Sequence, residues 1–135
     1  MNALNQAIYS RLQTTGSINS LLAGTTAIYH MQAPAGQAYP YIVFSSQSEV
    51  TENRTPHRTD NDVIFIRAYS AVSAAQAGSI DARIDTAVHL VPLTVSGWTN
   101  YWLAREQGLA TVETEPSARP IYMQGAMYRV RLDKT

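Results

Sequence analysis

At 135 residues, 45% hydrophobic and 15% charged, the chain is long enough for one packed core and too short for a two-domain enzyme with an interdomain cleft. Ten basic side chains balance ten acidic ones, so the electrostatic footprint of an autonomous nucleic-acid or anionic-membrane binder is missing. The absence of cysteine excludes disulfide frameworks, Cys-ligated zinc, iron–sulfur centres and thiol catalysis, and with no leader-like start and no apolar run near ~18 residues the expectation is an unsecreted, unanchored chain.

Asn2 stands in a capping position, and Leu4, Ala7, Ile8 and Leu12 follow with the spacing of one helical face, which predicts a helix over 3–14 ended near Gly16. Ser17 then caps a short turn carrying Ile18, Leu21 and Leu22, closed by Gly24. Ala27 to Met31 reads as a short edge strand, with His30 packed among apolar neighbours. Tyr39-Pro40-Tyr41-Ile42-Val43-Phe44 starts a strong strand whose partner is Asp62 to Tyr69. Alternation puts Ile42 and Phe44 on one face with Ile64, Ile66 and Ala68, and turns Arg67 and Tyr69 the other way. Between these halves, residues 45–61 hold Val50 as their only aliphatic side chain, a composition that points to a protruding, flexible arm.

Ser73-Ala74-Ala75-Gln76 fits a capping box, and Ala77, Ile80, Ile84, Ala87, Val88 and Val91 trace a stripe that Pro92 ends, so the main helix is expected over 74–90. Four strands follow: 93–95, 98–106, 109–115 and 121–132, separated by Gly97, by Gln107-Gly108 and by Pro116 to Pro120. The order predicts one α+β domain spanning 1–135, with two helices on one face of a mostly antiparallel sheet and a long β-hairpin arm.

Catalytic constellations are weak throughout, and the expectation is a protein that is not an enzyme and carries no cofactor and no metal. Asp81, Asp85 and His89 line one helix face at i, i+4 and i+8; a surface polar edge is the simpler reading, because two ligands and a distant third do not close a site. Glu113 and Glu115 share a strand face without an apolar pocket to separate their pKa values. There is no G-x-S-x-G elbow, and the seven glycines never form a phosphate cradle. Trp98, Tyr101 and Trp102 cluster in sequence and could line a ligand site. Nine of the ten cations are Arg, a side chain favoured at protein interfaces together with Tyr and Trp, and Arg129 and Arg131 alternate with Tyr128, Val130 and Leu132 on the last strand.

Five landmarks carry a resemblance. They are the helix from Leu4 to Leu12 with Leu21-Leu22 behind it, the Ile28-Tyr29 strand, the run from Tyr39 to Phe44, Ile64-Phe65-Ile66-Arg67-Ala68-Tyr69-Ser70 after a polar segment, and the helix after Ser73. In this order they resemble the tail terminator or tail completion proteins of long-tailed bacteriophages, most closely over residues 3–90. The resemblance implies a structural virion protein: a ring, expected as a hexamer, at the head-proximal end of the tail tube that ends tail polymerisation and joins tail to head. Its partners would be other copies of itself, the tail tube protein and a head-neck connector protein. DNA would be only passing cargo, no membrane would be involved, and assembly would occur in the host cytoplasm. Candidate contact residues are Glu49, Glu52, Arg54 and Arg58 in the arm and Arg129 and Arg131 on the last strand. The alternatives are a head-side neck or connector protein, an oligomeric small-ligand-binding protein using the Trp98 cluster, and a small hydrolase or isomerase using Asp81, Asp85 and His89.

Overall fold

A computed structural model describes residues 1–24, 27–54, 57–114 and 119–135, with Arg54 described by its backbone alone. In chain order the elements are α1 (Asn2–Thr14), α2 (Gly16–Asn19), β1 (Ile28–His30), β2 (Tyr41–Arg54), β3 (His57–Ser70), α3 (Ala74–Val88), β4 (Thr94–Val95), β5 (Trp98–Thr114) and β6 (Pro120–Lys134). The strands form one six-stranded sheet in the order β1-β2-β3-β6-β5-β4, antiparallel except for the β1–β2 pair. The expected α+β architecture is therefore present, with α1 and α3 packed on one face of the sheet.

Periodicity explains that packing. Leu4, Ala7, Ile8 and Leu12 of α1 and Ala77, Ile80, Ile84 and Val88 of α3 are the buried positions of their helices. They meet Ile42, Phe44, Ile64, Ile66, Ala68, Ala126, Tyr128, Val130 and Leu132, which the strand registers put on the same side. The two helices are also tied at their C-terminal ends: the Arg11 guanidinium donates to the carbonyl of Ala87 at 3.0 Å, an acceptor that the last turn of α3 leaves open, and to that of Pro92 just beyond at 2.8 Å.

Four local expectations need correction. Met1, not Asn2, is the N-cap of α1, and no side chain caps it. His30 is exposed and lies tilted against the Phe44 ring at 5.2 Å: it shares the face of Ile28 and Phe44, but it ends the edge strand at the margin of the core beside α1. Gln107-Gly108 does not separate two strands: β5 runs through it and absorbs the irregularity as a bulge between Arg105 and Gln107. Finally, the polar segment 45–61 is strand in its described residues, paired from Ser45↔Phe65 to Arg54↔His57. Its second half lies inside the sheet, since Thr59, Asp60 and Asn61 also pair with Asp133, Leu132 and Arg131 of β6. Backbone pairing on both sides supplies what the apolar composition lacks, and Thr59 and Asp60 are buried.

Gly125 shows how closely the central strands approach. A Cβ there would stand 2.4 Å from the Ile66 carbonyl oxygen and 2.8 Å from Arg67 Cα, so only glycine fits opposite Arg67.

Candidate assembly interface

The two faces of the sheet differ in chemistry. On the helix-covered face the hydrophobic core gives way, toward the β2–β3 turn, to Glu49, Asp60 and Asp62. The Met1 ammonium donates to Glu49 across this end, and Arg58 donates to Asp60 at 3.3 Å and to Thr51 at 3.3 Å. Asp62 is completely buried with neither carboxylate oxygen hydrogen-bonded, and burial, with Asp60 and Glu49 nearby, raises its pKa to about 7.

The opposite face carries no helix. Down its centre run Tyr69, Arg67, Phe65 and Val63 of β3 beside Met123, Gly125, Met127 and Arg129 of β6. At one end the sheet curls. Side chains of β2, β3 and β5 line a common cavity with the 31–39 loop, although on a flat sheet β2 and β5 would stand about 14 Å apart with β3 and β6 between them. At the other end lie Arg131, opposite Asn61 and Trp102, and Arg129, which donates to Glu106 and, at 2.8 Å, to Asn61.

The candidate contact residues thus fall into two groups. Glu49 and Arg58 belong to the helix-covered face, where both have intramolecular partners. Glu52, Arg129 and Arg131 belong to the open face, and Arg131 is exposed without a side-chain ion pair among the described residues. Arg54 ends β2 opposite His57, and its side chain lies outside the described residues.

Two sheet edges are also open among the described residues. β1 pairs only with residues 42–44 of β2, leaving Ser45–Arg54 without a neighbour on that side. On β5, Leu103 accepts from the Leu90 N–H at 2.6 Å and the Arg105 N–H donates to His89 Nδ1 at 3.0 Å, after which Glu106–Thr114 has no partner on its outer side. Such edges are templates for pairing with another chain.

The alternative sites do not assemble. Asp81 is buried and holds Arg105 through two hydrogen bonds of 3.2 and 3.0 Å, while His89 Nδ1 takes the Arg105 N–H, so this helix edge clamps α3 to β5 rather than facing solvent. No cluster of three or more His, Asp or Glu suited to a metal occurs among the described residues. The Trp98 cluster is split by a bulge between Asn100 and Trp102: Trp98 lies on the helix-covered face under Arg58 and Lys134, while Trp102 is exposed on the other. Glu115 lies outside the described residues. Among the described residues no helix is long and apolar enough to cross a membrane.

Comparison with known proteins is decisive at the level of family. The sequence profile of the family described as tail completion protein gp17 matches residues 6–133. The chain belongs to that family. As a tail completion protein it is a structural tail protein and a virion component. No curated protein matches its sequence significantly. Among solved structures, a chain from the virion of a native gene transfer agent particle shares its fold, with a TM-score of 0.76 over 98% of this chain and 96% of that one, at 20% sequence identity.

Proposed function

We propose that this tail completion protein forms a closed ring, expected to hold six copies, on the head-proximal end of the tail tube, where it ends tube polymerisation and presents a surface to the neck of the capsid. The observation that carries the reading is the family match across residues 6–133. Two structural features support it. The open edges lie on opposite sides of the sheet, at β2 and at β5, so each copy offers two different surfaces, as a ring of heterologous contacts requires. The open edge of β2 and the helix-free face together carry five of the six candidate contact residues, Glu49, Glu52 and Arg54 on that edge and Arg129 and Arg131 on that face, a surface suited to repeated protein contacts. DNA is passing cargo in this reading, and the partners are the tube protein and a head-neck connector protein.

The test is sedimentation and negative-stain electron microscopy of the purified protein, alone and with purified tail tubes. Rings capping one end of each tube are expected. Protein that stays monomeric and leaves tube ends bare would overturn the reading, and attachment to DNA-filled capsids in place of tubes would move the protein to the head side of the joint.

A further inference from the structure

The curled end of the helix-free face encloses a cavity of about 370 Å³ that nothing in the ring reading uses. Its floor is aromatic: Tyr41 stacks on Tyr69 with ring centroids 5.2 Å apart, and Tyr39 lies 5.0 Å from Tyr41 on the other side. Arg67 enters from β3, over the space that Gly125 leaves empty, with its guanidinium carbon 4.5 Å from the Phe65 ring centroid. That guanidinium makes no hydrogen bond or ion pair among the described residues, and its Nε is shut off from solvent with no acceptor. Leaving a donor of a charged group shielded and unpaired carries a desolvation penalty that an incoming acceptor would relieve. Glu113 stands at the exposed rim, and Met31 begins the covering loop in a left-handed conformation (φ 68°) that holds its side chain 72% exposed at the mouth.

We propose that this cavity is a socket for an extended segment of another protein, taking an Asp or Glu side chain onto Arg67 with an adjacent apolar residue against Met31 and the tyrosine stack. Carboxylate fits guanidinium as a two-point acceptor, and tyrosine supplies apolar area with little rotamer entropy to lose. Glu113 competes for the same cation from the rim and sets an upper limit on affinity. The socket lies at the opposite end of the helix-free face from Arg129 and Arg131, and its occupancy can be read on the free protein.

The experiment titrates the isotope-labelled protein with acetyl-Ala-Leu-Glu-Leu-Ala-amide, with its Gln counterpart, and with sodium glutarate, following the Arg67 Nε–H resonance. The Glu peptide should shift that resonance saturably at millimolar concentration, at least fivefold more tightly than the Gln peptide or glutarate. Glu113→Gln should tighten binding severalfold, while Arg67→Met should abolish the peptide response and keep its thermal melt. Equal responses to the Glu and Gln peptides, or none to either, would overturn the socket; a response to glutarate as strong as to the Glu peptide would replace it with a simple anion pocket.

Discussion

Asp62 is the residue whose chemistry is least reconciled with its surroundings. Its pKa is raised in the fold, so between about pH 4 and pH 7 the folded state binds more protons than the unfolded chain. Its contribution is therefore complete below its unfolded pKa and declines as pH rises through about 7. Asp62→Asn should match the parent at pH 4 and exceed it at pH 8 by up to a few kcal/mol in chemical denaturation; a gain that does not grow with pH would show that the carboxyl is already ionised and solvated. Asp81 is the opposite case. Its carboxylate is matched by the Arg105 fork, so Asp81→Ala strands a partly buried guanidinium and should cost about 2–3 kcal/mol by the same measurement. The Tyr128 ring is fully buried below this pair, with its hydroxyl beside Arg105.

At the scale of elements, the β3–β6 pair is the narrowest passage in the sheet. Gly125→Ala puts a methyl against the β3 backbone, with the Ile66 carbonyl 2.4 Å away, and should lower stability by about 2–3 kcal/mol or more, seen as a thermal melt lowered by several degrees. Long elements with strong periodicity were legible in the sequence, and α3 with its Ser73 side chain accepting from the Gln76 N–H is the clearest of them. The second half of the arm was not, because a polar strand between two partners is stabilised by backbone pairing that composition does not reveal. Gly108 read as punctuation for a related reason: a bulge and a loop use the same residues, and only the neighbouring strand decides between them. Asp81 was read as a wet helix edge because its partner, Arg105, lies on a strand 24 positions away.

For the whole molecule, the proposed function rests on contact surfaces. Of the candidate contact residues, Arg131 is the cleanest probe, since its side chain makes no ion pair among the described residues and its neighbours Asn61 and Trp102 lie on the open face. Arg131→Glu should leave the thermal melt within about 0.5 kcal/mol of the parent and remove ring formation on tail tubes, giving overlong or headless tails. Normal tails from this variant would shift the contact surface to the open edges of β2 and β5. Arg58→Glu is a poorer probe, because it puts a second negative charge beside buried Asp60 and would confound folding with assembly. Family membership was legible from the order of landmarks along the chain. The distribution of charge between the faces was not, because it depends on register and on two bulges in β5.

β6 comes last in the chain order yet occupies the middle of the sheet, between β3 and β5. During synthesis, the two strands that flank it wait with an unpaired side: β3 has only β2, and β5 only the two residues of β4. The pairing that joins the halves, such as Thr59↔Asp133, spans more than half of the chain, and contacts of that span form slowly. A chain that stops short of β6 leaves β3 and β5 unjoined, with bare edges and without the Ala126, Tyr128, Val130 and Leu132 layer of the core, a species for proteases and chaperones to clear. A sheet that closes only with β6 exposes incomplete chains to clearance before any partner has to reject them.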